Sequence, residues 1–406
     1  MKILIVNVNS HIESTGKIVY GLYNYLKLKG NEVRLCYRGI REPKLDDANI
    51  IPLSNDVQCK ISGLFSKLFG YEGIFSPLST RKLIKEIEIF KPDVVHLFNL
   101  PGYYLNHFKV LEYLKEKRIP TVYSMMDEFV YTGKCTYPYD CEKFKVECKD
   151  CPQIHAYPES WFFDNSNRIF KRKQQIYKDW DLLTITGIEW SCNKARMSAI
   201  SSGNRLEVIP HPINSKTLYT PKDSTTLRRK LCIPDDNIVI LTVTDAADER
   251  KGAKYYIELA ERLQTRKDIS FVFVGYNRSD FVIPSNMRTT GFVSDQHLLA
   301  EYYSLADLYV CVSLADTFPT TCLNALACGT KVLGFNAGGV PYCAPKEFGT
   351  FVPVCDVDAL ANHVARIKKK ALRDIETTSE FANNTYSEEV VDGKFYKVYE
   401  SYFKKA

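Results

Sequence analysis

A chain of 406 residues is longer than one hydrophobic core ordinarily holds, which predicts two domains. Hydrophobic residues at 45% and charged residues at 25% are the proportions of a globular protein and exclude a disordered or fibrous chain. The net charge of +6 suits anionic small ligands or a lipid surface, and falls far short of the concentrated basic stripe of a nucleic-acid binder.

Along the chain, strand-like apolar runs alternate with helical patterns, which predicts an α/β protein with parallel sheets built from βαβ units. Ile3–Val8, Glu32–Tyr37, Asp93–Leu97, Thr121–Met125 and Leu182–Thr186 read as strands, with helices around Val19–Leu28, Arg81–Ile89 and Phe108–Lys115. The alternation restarts with Ile238–Val243, Ser270–Val274, Asp307–Val312 and Lys331–Phe335, giving two doubly wound units in tandem. The join falls in Leu206–Lys222, where prolines cluster, so residues 1–205 and 206–386 form the two domains. A last helical run, Ser387–Lys405 within 387–406, places Val391, Phe395, Val398 and Tyr399 on one face. The opening apolar run is too short for a signal peptide and no segment reaches spanning length. A cytoplasmic protein is expected, at most at the inner face of a membrane.

The residues that carry chemistry fall at strand ends. Gly16 lies between the first strand and its helix, where glycine lets backbone approach a ligand. Lys60–Tyr71 mixes lysines with large apolar residues, as an interfacial segment on a lipid leaflet does, and as a loop or a packed helix also does. His96 ends a strand, and Asp127 follows the next one. Thirteen cysteines is an odd number, and nine are scattered as small buried residues of a reducing compartment would be. Cys135, Cys141, Cys148 and Cys151 instead cluster, with Cys148-Lys149-Asp150-Cys151 forming a two-residue knuckle. Four such thiolates suit a closed, structural zinc ion, with disulfides and free thiols as the alternatives.

In the second half, Arg250-Lys251-Gly252 follows a strand and opens a helix, and Gly338-Gly339 follows another, where exposed amides can meet phosphate. Asp316-Thr317-Phe318-Pro319-Thr320-Thr321 also lies between a strand and a helix, with Asn324 inside that helix and Gly329 ending it. Ligands of open α/β sheets bind at these carboxyl ends of strands.

The Asp316–Gly329 block resembles the donor-site motif of family 4 retaining glycosyltransferases, in which an acidic residue is followed eight positions later by Glu; here Asn324 stands in the second place. Ile209-Pro210-His211-Pro212-Ile213-Asn214 is similar to the family's interdomain segment, with Pro212 in place of a glycine. Ser124-Met125-Met126-Asp127 through Thr132-Gly133-Lys134-Cys135 resembles a segment of the bacterial exopolysaccharide-biosynthesis branch, with Met126 where that branch has His. The resemblance implies the GT-B fold, two Rossmann-like domains facing a central cleft, with the C-terminal helix crossing back to the first domain and the cysteine loop 133–153 beside the acceptor entrance. It implies a hexosyltransferase that moves a sugar, with retention, from a nucleoside-diphosphate donor to a glycan or lipid-linked oligosaccharide in surface-polysaccharide synthesis. Asp316 would hold the sugar, Lys251 and Arg250 the diphosphate, and Asn324 the ribose. Phe318, Pro319, Thr320, Thr321 and Gly16 would complete the donor site, while His96 and Asp127 would face the acceptor. No cofactor is implied for catalysis. A non-catalytic relative that binds glycans or scaffolds partners, and a GT-B sugar-nucleotide epimerase, are the rival readings.

Overall fold

The computed structural model describes residues 1–40, 42–276, 280–367 and 374–403. The chain divides into two compact units, Met1–Pro210 with Asp392–Ala406, and His211–Val391.

The first unit runs β1 (Lys2–Asn7), α1 (Glu13–Leu28), β2 (Glu32–Tyr37), β3 (Ile50–Pro52), α2 (Asp56–Phe69), α3 (Pro77–Phe90), β4 (Val94–Leu97), α4 (His107–Glu116), β5 (Thr121–Ser124), α5 (Ser166–Tyr177), β6 (Leu182–Thr186), α6 (Glu189–Met197) and β7 (Arg205–Val208). Its seven strands lie in the order β3-β2-β1-β4-β5-β6-β7, all parallel. The central strands are buried almost throughout because helices cover both faces of such a sheet. Asp93 ties two of them at their start, its carboxylate accepting the Lys2 amide at 2.7 Å.

The second unit follows the same plan with α7 (Thr225–Lys230), β8 (Ile238–Val243), α8 (Ala253–Arg262), β9 (Ile269–Val274), β10 (Met287–Thr289), α9 (Gln296–Leu305), β11 (Leu308–Cys311), α10 (Thr320–Ala327), β12 (Val332–Phe335), β13 (Gly349–Val352), α11 (Val357–Arg366), α12 (Ile375–Tyr386) and α13 (Glu388–Phe403). The six strands are ordered β10-β9-β8-β11-β12-β13. Asp307 repeats the device of Asp93, accepting the Val239 amide at 2.8 Å.

Four strands absent from the sequence reading lie at the sheet edges. β3, β10 and β13 are edge strands of three or four residues, too short for a two-residue period to show. β7 is a fourth, and it carries the first unit on to Pro210, beyond the expected boundary at residue 205. The last helix belongs to the first unit from Asp392 onward, with Phe395, Val398 and Tyr399 buried there; the expected end of that run, residues 404–406, lies outside the described residues.

Candidate active site

In the second unit, the chain leaving β8 makes one 3-10 turn, Glu249–Lys251, and enters α8 through Gly252. Gly252 has φ +68°, and a Cβ there would stand 2.0 Å from the Val312 carbonyl oxygen. Only glycine can therefore press this turn against the end of β11. The Leu314 amide, donating to the Arg250 carbonyl at 2.8 Å, fastens the two segments together.

This contact delivers the cations to the carboxylate. The Lys251 ammonium lies 2.6 Å from Asp316 Oδ2, and Arg250 Nη1 lies 3.6 Å from the same oxygen. Arg250 is itself held, donating to the Ala315 carbonyl at 2.8 Å and to Asp248 at 2.7 Å. The Asp316 side chain is only 10% exposed. Burial opposes its ionisation, but Lys251 and Arg250 outweigh burial and hold the carboxyl below the ordinary aspartate range. The group is thus an ionised, half-neutralised cluster at the carboxyl end of the sheet, with Lys251 its more exposed cation.

Around it, α10 begins at Thr320 with Pro319 as its N-cap and no side chain capping it. Helix starts of this kind present amides to an anion, here at half-exposed Thr320 and Thr321. Gly338 takes φ +53°, and a Cβ there would meet the Asp316 carbonyl oxygen at 2.5 Å, so the turn requires glycine. The Gly339 amide donates to that same carbonyl at 2.7 Å. This amide is spent on shaping the Asp316 turn, where the sequence pointed to phosphate.

Two donor-site expectations take a different form. Phe318 is buried, its ring edge-on between His211 at 5.3 Å and Tyr386 at 5.8 Å, so it supports the turn from beneath. Asn324 lies one turn into α10, 9% exposed and beside Tyr303. Sequence reasoning passed over His211 as a site residue. Burial lowers its imidazole to about 4, with Asp316 and the Phe318 backbone acting in the opposite sense, so a neutral ring backs the carboxylate. Its place between two prolines was the available signal.

The first unit corrects two assignments. His96 faces no open site: it is fully buried, with its ring nitrogens 2.7 Å from the Ser124 hydroxyl and 2.5 Å from the Tyr399 hydroxyl, and Phe98 and Phe395 packed on its ring. Burial pulls its pKa down to about 3. Gly16 is also buried. A Cβ on it would stand 3.1 Å from Asn9 Cβ and from the His11 amide, so its closeness serves the loop after β1. Asp127 is half-buried, its Oδ1 accepting the Phe129 amide at 2.9 Å. Burial raises its carboxyl to about 6 against the pull of that amide and of Lys173.

Cys135, Cys141, Cys148 and Cys151 do come together, lining one cavity of about 10 Å³. The Gly133 amide donates to Cys148 Sγ at 3.2 Å, and Cys135 and Cys151 hydrogen-bond to each other. All four are unbridged in this structure. Among the described residues no three His, Cys, Asp or Glu side chains are arranged to hold a metal ion.

Two parallel, doubly wound units in one chain, with the cation-flanked carboxylate on the second, define a GT-B fold. The family model described as glycosyl transferases group 1 matches residues 223–388, within the second unit. The chain is 23% identical over 267 residues to the Escherichia coli (strain K12) protein named as the colanic acid biosynthesis glycosyl transferase WcaC, covering 64% of either chain. It is 27% identical over 143 residues to the alpha-galactosylglucosyldiacylglycerol synthase of Streptococcus pneumoniae (strain ATCC BAA-255 / R6), a match that spans 32% of this chain and 37% of that one. Less than two thirds of each of these relatives is therefore covered. Among solved structures, sucrose-phosphate synthase from Thermosynechococcus elongatus superposes with a TM-score of 0.73 at 18% identity, over 100% of each chain. Anabaena HepE in complex with UDP-glucose superposes with a TM-score of 0.65 at 15% identity, over 99% of this chain and 100% of that one.

Proposed function

We propose that the protein is a retaining hexosyltransferase that uses a nucleoside-diphosphate sugar and a glycan or lipid-linked acceptor in surface-polysaccharide synthesis. The observation that carries this reading is the Lys251–Asp316–Arg250 cluster at the carboxyl end of the second sheet. Breaking the bond between sugar and diphosphate builds negative charge on the leaving group, and a preset ammonium and guanidinium oppose that charge without reorganising. Asp316, ionised and buried, accepts from sugar hydroxyls more strongly than a neutral acceptor would. The uncapped start of α10 supplies amides to a phosphate oxygen. Retention follows where the acceptor hydroxyl attacks from the face the diphosphate leaves, its proton passing to a diphosphate oxygen. Asp127, half-buried on the first unit, is the acceptor-side polar group in this reading.

The names of the relatives support the setting. WcaC is named for colanic acid biosynthesis and the pneumococcal relative for a glycolipid, while the HepE structures hold UDP and UDP-glucose. UDP-glucose therefore heads the panel of donors to be screened by thermal shift, since a ligand that binds only the folded protein raises its melting temperature. One nucleotide-sugar should raise it, and Lys251→Ala should abolish the rise. An unchanged response in Lys251→Ala would remove the diphosphate role. Slow hydrolysis of the bound donor without acceptor separates a transferase from a non-catalytic relative, and unepimerised product separates it from an epimerase.

A further inference from the structure

The helix α2 is turned inside out. Its buried side consists of Cys59, Ser62, Gly63 and Ser66, while Val57, Ile61, Leu64, Phe65 and Phe69 are 65%, 51%, 47%, 42% and 47% exposed. Their spacing puts these apolar side chains on one face along a helix about 21 Å long. Gly63 explains the inward side, since its missing side chain lets the Tyr103 ring lie within 3.3 Å of where a Cβ would stand. Nothing in the unit's own packing rewards the outward side. Phe65 and Phe69 stack on each other and on Phe75 without being covered.

A second apolar element is fastened to the end of this helix. Trp161, Phe162 and Phe163 are 42%, 68% and 55% exposed on consecutive residues. The Trp161 amide donates to the Lys67 carbonyl at 2.8 Å, and the Asn165 side chain donates to the Phe69 carbonyl at 2.7 Å. Gly70, at φ +63°, lets the Phe163 carbonyl approach where a Cβ would block it. Three bulky aromatics are thus held outward on a pinned loop.

Cations accompany these elements along the chain. Lys60 and Lys67 stand on α2, paired with Asp56 and Glu159, and α5 begins one residue after Asn165. An open groove of about 810 Å³ runs along α5 from Arg168, lined by Lys115, Arg118, Arg168, Lys171 and Arg172 against two glutamates.

We infer that this face, α2 with the Trp161–Phe163 loop and the basic groove of α5, docks on an anionic lipid bilayer. A bilayer interface takes up protruding aromatics and a flat-lying apolar helix without a shape-matched partner, and its headgroups attract the flanking cations. The inference is independent of the transfer reading, since it concerns no residue of the donor cluster.

The test is co-sedimentation of the full chain with vesicles of phosphatidylcholine alone and of phosphatidylcholine mixed with phosphatidylglycerol. The protein should pellet with the anionic vesicles and be released by added salt. Phe162→Ser with Phe163→Ser should weaken that binding at least about tenfold, because each exposed ring is apolar surface that the lipid removes from water. The melting temperature and donor response should stay unchanged. Arg168→Gln with Lys171→Gln should weaken binding to anionic vesicles only. Protein left in the supernatant with both vesicle types would overturn the proposal, as would serine variants that bind like wild type. A concentration-dependent dimer abolished by the same serine substitutions would overturn it too, by assigning the face to a second copy.

Discussion

Two acidic residues show how identical chemistry is divided by surroundings. Asp316 sits against two cations and is held ionised, whereas Asp127 sits against one amide and a more distant lysine and is raised to about 6. A raised carboxyl contributes stability that is full below its ordinary value and is lost as pH rises through about 6. Ionised Asp127 is therefore a cost above that pH. Asp127→Asn keeps an oxygen for the Phe129 amide, so it should raise the melting temperature at about pH 8 and leave it unchanged near about pH 4. Melting curves at the two values check this; equal shifts at both would show that Asp127 does not titrate there. In the same variant, turnover with acceptor should fall while donor binding holds. Asp316 and Lys251 were legible from sequence because each lies between a strand and a helix. The burial of His96 was not, because the ring that covers it, Tyr399, is 303 residues away in sequence.

At the scale of elements, the turn from β8 to α8 decides whether the cluster exists. Gly252→Ala would place a methyl 2.0 Å from the Val312 oxygen at a φ that alanine resists, so the turn must lift away from β11. The loss should exceed about 2 kcal/mol of stability, and the donor-induced shift should vanish although Lys251 is intact. Denaturant melts and the thermal-shift assay measure both, and a normal donor response would show that the turn is not what positions Lys251. Strands buried on both faces were readable as continuous apolar runs. The edge strands β3, β7, β10 and β13 were not, since a strand paired on one side need not be a continuous apolar run, as Arg205-Leu206-Glu207-Val208 shows. The outward face of α2 was visible only as a mixture of lysines and large apolar residues, because periodicity does not tell which side of a helix faces the core.

At the scale of the whole molecule, the last helix packs into the first unit. Phe395 and Tyr399 pack on His96 and Phe98, and burial keeps the imidazole neutral with its pKa at about 3. A histidine whose folded pKa is depressed contributes stability that is present above about 6.5 and is lost as pH falls toward about 3. His96→Asn should lower stability near about pH 7 but flatten its fall toward about pH 5, as urea midpoints at the two values would show. An equally steep fall in the variant would place the acid sensitivity elsewhere.

The claim on which the functional account rests is that Asp316 and its two cations divide a nucleotide-sugar between them, the carboxylate taking the sugar and the cations the diphosphate. Isothermal titration of UDP and of UDP-glucose into wild type and into Asp316→Asn tests it most directly. Wild type should bind the sugar nucleotide more tightly than UDP, and Asp316→Asn should lose that preference while still binding UDP. An undiminished preference in Asp316→Asn, or no binding of any nucleotide-sugar by wild type, would contradict it.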